Sequence, residues 1–183
     1  MKLIMPFKLF FALCLFSTIY SFGQLKIEDL KVNYGYRITQ NRNVEVIIVH
    51  STYNIQNDDK YNIDLVLKQF KLYKVSSHYI IDREGIVYRL VDEKNIAFHA
   101  GKSRLPDGRT GVNQLSIGIE LINSHTDSPT ELQIQTLLKL VTEIKNRYKI
   151  KYVLRHSDIA PTRKTDPWNM NWDDFITKTS IVK

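Results

Sequence analysis

The sequence predicts a single α/β domain built on a central mixed β-sheet flanked by helices. Short β-branched runs recur along the chain, and amphipathic helical stretches separate them. No fixed-period repeat, low-complexity tract or Pro/Gly-rich linker divides the middle, and 183 residues suit one hydrophobic core.

Each element has its own signal. Residues 24–43 are polar and carry no clear periodicity. Residues 44–51 (VEVIIVHS) read as a buried strand. Residues 58–73 place Ile63, Val66, Leu67, Phe70 and Tyr73 on one helical face. Residues 77–82 and 86–91 are strand patterns around Arg83-Glu84-Gly85, which predicts a hairpin. Residues 97–113 read as loop, with Gly101, Pro106, Gly108 and Gly111. Residues 115–121 (LSIGIEL) form another buried strand pattern. A helix follows, with Ser128 as the expected N-cap, Pro129 in the first turn and Glu131 three residues on. Its face carries Ile134, Leu137, Leu138, Val141, Ile144 and Tyr148. Residues 152–155 read as a short strand, 157–167 as a loop and 172–177 as a closing helix.

The first segment reads as an export signal rather than part of that fold. Lys2 and Lys8 lie in the opening residues, 9–16 are an unbroken apolar run, and Ser21 and Gly23 are small. Cleavage is expected after Gly23. The divisions are then a signal peptide at 1–23, an N-terminal extension at 24–43 and the main domain at 44–183. The apolar run is too short for an ordinary membrane span, so no stable span is expected after cleavage. The expected location is periplasmic or secreted. A lipid anchor on Cys14 is disfavoured, because Leu13 stands where a small residue is usual.

Cys14 is the only cysteine. The exported part would have none, which excludes a disulfide framework and a cysteine nucleophile. The formal charge is +7, and losing Lys2 and Lys8 leaves +5 on side chains. With no dense Lys/Arg run and with export expected, nucleic acid is not the expected partner, and an anionic envelope polymer suits this charge as well.

Three polar residues end apolar strands: His50 after VIIV, Glu120 after SIGI and His156 after YVLR. Ligands in α/β domains gather beyond strand ends, where a rigid sheet aims side chains from distant parts of the chain at one place.

Residues 155–168 read RHSDIAPTRKTDPW. With VIIVHST, SSHYIIDREGIVYRLV, AFHAGKS and NQLSIGIEL in that order before it, the chain resembles the type 2 N-acetylmuramoyl-L-alanine amidases from about residue 44 to 175. That family also includes peptidoglycan recognition proteins. The resemblance implies a zinc site at strand ends, with Zn2+ held by His50, His156 and Asp166 and a fourth position left for water. Some relatives have cysteine at the third position; this chain has Asp166. The resemblance further implies that Glu120 handles the proton of the attacking water and that Lys164 steadies the oxyanion. It places His99 on the substrate side near the metal, with Asn113 and Arg109 as candidate contacts to the stem peptide. A solvated loop role for Arg109 is equally open.

His78 is expected to be structural or at the cleft wall. Some relatives carry a catalytic tyrosine just before it, where this chain has Ser77. Trp168-Asn169-Met170 departs from the Gly and Pro that many relatives place after the Asp-Pro step, and is expected to add an aromatic surface to the cleft rim. The implied reaction is hydrolysis of the amide between the lactyl group of N-acetylmuramic acid and L-alanine of the stem peptide. The implied partner is peptidoglycan or its muropeptide fragments. A non-catalytic peptidoglycan-binding protein and an antibacterial amidase effector are the alternatives.

Overall fold

The computed structural model describes residues 25–56 and 59–179. Its elements are β1 (Ile27–Asp29), β2 (Tyr36–Arg37), β3 (Val46–Thr52), α1 (Ile63–Tyr73), β4 (Tyr79–Ile81), β5 (Val87–Arg89), β6 (Ile96–Ala97), α2 (Val112–Leu115), β7 (Ser116–Ile122), α3 (Glu131–Arg147), β8 (Tyr152–Arg155), α4 (His156–Ile159) and α5 (Trp172–Thr179). The expected signal at 1–23 lies outside the described residues.

Six strands form one sheet in the order β1-β5-β4-β7-β3-β8. β4, β7, β3 and β8 run parallel, and β5 is antiparallel to β4. The sheet is therefore mixed, and the carboxyl ends of β3, β7 and β8 share one edge of the domain. Every residue of β3 and β7 is buried, which explains their unbroken apolar character: a parallel sheet is covered on both faces.

Side chains alternate between the two faces. One face sends Ile47, Val49, Ile117, Ile119 and Leu121 against α3 and α5. The other carries Val46, Ile48, Ile80 and Ile122 toward α1, α2 and α4. His50 pairs in register with Glu120 and shares the parity of Val46 and Ile48, so both point to the second face.

The hairpin forms where expected. Asp82 Oδ1 accepts the backbone N–H groups of Glu84 and Ile86, and Gly85 takes a φ of +80°. That left-handed turn position favours glycine. Helix α1 begins at Ile63 rather than 58, because the Asn62 side chain accepts the Leu65 N–H and caps it.

Short helices α2 and α4 begin in or beside stretches read as loop, and two further regions differ from the sequence reading. Residues 25–43 are packed into the domain: β1 extends the sheet beside β5, and Leu30, Val32, Tyr34 and Tyr36 pack against the α1-side core. Arg42 donates to the carbonyls of Asn95 and Ser116 and lies 3.0 Å from His78 Nε2. The second difference is the cap of α3. Thr130, not Ser128, is the N-cap, and Thr130 and Gln133 exchange the two bonds of a capping box. Gln133 selects this register, since its buried Nε2 also donates to the carbonyls of Ile81 and Ile122 and ties the helix to the sheet.

Thr130→Ala should therefore lower folding stability by about 1 kcal/mol, the usual cost of losing a cap. Ser128→Ala should change it by less than about 0.5 kcal/mol, as expected of a surface substitution. Paired urea denaturation curves check this, and equal losses in both variants would contradict the assigned cap.

Candidate metal and catalytic site

β3 and β8 are adjacent and parallel, so His50 near the end of one and His156 just after the other arrive side by side. The chain after His156 must turn back to bring Asp166 to them. Short helix α4 begins that turn, and the Arg163 and Lys164 N–H groups donate to the Ala160 carbonyl at 3.0 and 2.9 Å. The Ser157 N–H closes the loop on the Asp166 carbonyl at 3.0 Å. The Trp168 N–H donates to Ser51 Oγ at 3.2 Å and fastens the far side to β3.

The result is a buried trio. His50 Nδ1 lies 2.9 Å from His156 Nδ1, and Asp166 Oδ2 lies 3.2 Å from His156 Nδ1 and 3.5 Å from His50 Nδ1. One donor atom from each residue lies within 4.8 Å of the others. Zinc bound by nitrogen and oxygen at tetrahedral angles sets neighbouring ligand atoms about 3.3 Å apart. The three separations bracket that value, and two imidazoles with one carboxylate are an ordinary zinc donor set. The residues fit the metal.

The electrostatics agree. Burial pushes His50 down to about 4 against the pull of Asp166, so its ring is neutral at neutral pH. Burial opposes ionisation of Asp166, but the adjoining His156 and His50 imidazoles outweigh it and hold the carboxyl far below its usual range. Glu120 goes the other way: burial, helped by the Asp166 charge, raises it to about 8, while Lys164 opposes the rise.

Glu120 and Lys164 line the same cavity as the trio, a cleft of about 420 Å³. Phe70, Tyr73, Val75 and Phe98 supply an apolar wall, and Trp168 borders the cleft as the sequence led us to expect. Its ring meets those of Tyr53 and His125 edge-on, at 5.8 and 6.1 Å between centroids. Arg163 and the apolar wall were not singled out in the sequence. Arg163 adjoins Lys164 in the TRKTDP run, whereas the wall joins the end of α1 to Phe98, far along the chain.

The residues read as candidate substrate contacts are bonded within the protein. His99 borders the cleft, but both ring nitrogens have protein partners: Nδ1 is 3.0 Å from His50 Nε2, and Nε2 is 3.2 Å from Ser116 Oγ. Asn113 Oδ1 accepts the backbone N–H groups of His99 and Ala100. Arg109 is bonded to Asp107 and Glu45 and does not line the cleft. His78 is fully buried and structural, with Nδ1 accepting the Gly118 N–H at 3.0 Å.

With this geometry in place, comparison with known proteins gives the family. Residues 40–169 match the family model described as N-acetylmuramoyl-L-alanine amidase. The chain belongs to the N-acetylmuramoyl-L-alanine amidase family. It is 37% identical over 142 residues to the N-acetylmuramoyl-L-alanine amidase AmiD of Escherichia coli, covering 68% of this chain and 49% of that protein. The fold matches a crystal structure of AmpD with a TM-score of 0.74 and 26% identity, over 85% of this chain and 94% of that one. It also matches E. coli AmiD in complex with the substrate anhydro-N-acetylmuramic acid-L-Ala-D-gamma-Glu-L-Lys, with a TM-score of 0.65 and 31% identity, over 80% of this chain and 62% of that one. The chain spans about half the length of the curated relatives it matches.

The Glu120 shift has a measurable sign. An acid raised by folding binds more protons in the native state, so metal-free protein should lose stability as pH climbs from the ordinary 4.5 toward about 8. The buried histidines oppose this only below their ordinary 6.5, where the unfolded chain binds more protons than the native one. Between 6.5 and about 8 the fall due to Glu120 should stand clear, and Glu120→Gln should flatten it. Urea midpoints across that window test it, and an unchanged slope in the variant would place the titration elsewhere.

Proposed function

We propose that this amidase-family chain is a zinc-dependent N-acetylmuramoyl-L-alanine amidase. It would cut the amide between the lactyl group of N-acetylmuramic acid and L-alanine of the stem peptide. The observation that carries this reading is the convergence of His50, His156 and Asp166 with Glu120 and Lys164 on one cleft. The substrate complex of AmiD, a protein of the same fold, supports the choice of a muropeptide.

Zinc held by His50, His156 and Asp166 would supply Lewis acidity to the scissile carbonyl and lower the pKa of the attacking water. Glu120 accepts the water proton and later returns it to the departing L-alanine amine. Its buried setting raises proton affinity, which suits a group that must both take and give. The Lys164 ammonium stabilises the tetrahedral oxyanion. The donor set is complete, which separates this chain from a protein of the same fold that only binds peptidoglycan.

We further propose that the protein is exported, with Met1 to Gly23 as the removed signal. No helix among the described residues is long and apolar enough to cross a membrane.

The decisive measurement is mass spectrometry of muropeptides incubated with the protein. Free L-alanine-terminated stem peptide is expected as product, and its absence with zinc-loaded protein would reject the amidase reading. Glu120→Gln should keep zinc and fold while losing about 10²–10⁴-fold in turnover, the usual share of a general base. His50→Ala and Asp166→Ala should lose zinc and activity together. Zinc content and turnover read on the same preparation check all three. N-terminal sequencing of protein from the cell envelope should begin after Gly23, and an intact Met1 or lipid-modified Cys14 would overturn the export proposal.

A further inference from the structure

We propose that the His99–Ala100 step, clamped by Asn113, sets the orientation of both histidine donors, so that His99 and Asn113 are positioning residues for the metal site. The inference rests on the reading of His50, His156 and Asp166 as a zinc site. It replaces the expectation that His99 and Asn113 touch substrate.

Two backbone carbonyls determine which nitrogen of each donor ring is bare. The first belongs to Ala100. His156 Nε2 lies 3.3 Å from it, and a carbonyl can only accept, so Nε2 carries the proton. A ligating imidazole is neutral, so the His156 Nδ1 lone pair is left facing Asp166 and His50.

The second carbonyl belongs to Val112 and acts through a longer chain. Ser116 Oγ donates its single proton to the Val112 carbonyl at 2.6 Å. Ser116 can then only accept from His99 Nε2, 3.2 Å away. That leaves His99 Nδ1 bare, and it accepts from His50 Nε2 at 3.0 Å. His50 Nδ1 is therefore bare as well, and it faces the trio. Successive residues, 99 through its side chain and 100 through its carbonyl, thus hold the outer nitrogens of both donors.

That step is itself fixed. Asn113 Oδ1 accepts the His99 N–H at 3.1 Å and the Ala100 N–H at 2.8 Å, so one oxygen holds two consecutive peptides. Arg163 Nη2 donates to the Ala100 carbonyl at 3.0 Å and holds it from the other side. Gly118 gives the His99 ring its room: a Cβ there would lie 2.5 Å from the ring. Outer hydrogen-bond partners of this kind hold metal-ligating histidines in the right tautomer and direction.

The test compares purified wild type with Asn113→Ala, Asn113→Asp, His99→Leu and His99→Asn. The aspartate and asparagine variants restore an acceptor oxygen at the lost position. Three quantities are read: the zinc dissociation constant by competition with a chromophoric chelator, the visible absorption of the cobalt(II)-substituted protein, and the thermal midpoint of the metal-free protein. Asn113→Ala and His99→Leu should bind zinc about 10–100-fold more weakly and shift the cobalt bands, with the restoring variants recovering most of both. A merely structural role would lower the metal-free midpoint and leave zinc affinity and the cobalt spectrum as in wild type, and that result overturns the proposal. If a variant fails to fold, Ser116→Ala decides, since it removes only the outer acceptor of His99. Weaker zinc binding in Ser116→Ala supports the chain of bonds, and unchanged affinity and spectrum overturn it. A wild type that binds no zinc would sink the metal reading and this inference together, whereas tight wild-type binding with insensitive variants sinks the inference alone.

Discussion

Two imidazole nitrogens 2.9 Å apart, with a carboxylate oxygen 3.2 and 3.5 Å from them, form a cluster of donor atoms suited to a cation. Bare lone pairs at that distance repel, and a buried carboxylate is costly without a counter-charge. The surrounding architecture follows from keeping these atoms converged. β3 and β8 must be neighbours and parallel, the 157–166 loop must close on itself, and the outer nitrogens must find acceptors away from the cluster. His99, Ser116, Asn113 and Gly118 are buried or constrained polar and small residues in an otherwise apolar layer, and each answers one of those demands.

The same crowding separates the two carboxyls. Asp166 is held down by the imidazoles beside it, while Glu120 is buried away from them and feels the Asp166 charge. Groups whose surroundings drive their proton affinities apart take different chemical roles. Asp166 stays charged and suits a permanent ligand, and Glu120 sits near neutrality and suits a group that exchanges protons. Lys164 opposes the rise of Glu120 and adds to the depression of His50, so it acts on both halves of the site at once. The position of one cation therefore bears on Glu120 and on the His50–His156–Asp166 trio together.

Much of the fold was legible in the sequence because buried strands, and the polar residues that end them, leave strong local signals. The β-branched runs ending in His50, Glu120 and near His156 correctly marked the parallel strands whose ends form the site. Other features were legible only in part. Residues 24–43 lack periodicity because β1 and β2 are short edge strands of three and two residues, stabilised by pairing partners far along the chain. The cap of α3 was misplaced by two residues because Ser128 and Thr130 both begin a plausible capping pattern. What separates them is the bonding of Gln133 to carbonyls on two different strands, a tertiary fact that no local window contains.

The 97–113 loop shows a more general limit of local sequence. A polar side chain in a loop beside a cleft looks available for a ligand, yet a loop folded against a core must also satisfy its own backbone donors and acceptors. Asn113 has its oxygen committed to two backbone N–H groups, Arg109 has its guanidinium committed to Asp107 and Glu45, and His99 has both nitrogens committed to protein partners. Whether such a residue can contact a ligand depends on whether its polar atoms are already engaged, and sequence does not show that. The same criterion applied to the cleft leaves a different set facing the open space: the rings of Tyr73, Phe98 and Trp168 along the walls and the ammonium of Lys164 beside the donor trio. A cleft with apolar walls and a floor of one cation beside a buried donor trio would discriminate by where a ligand carries its polar groups. It suits a molecule whose polarisable carbonyl lies at the buried end and whose less polar faces can rest against the rings.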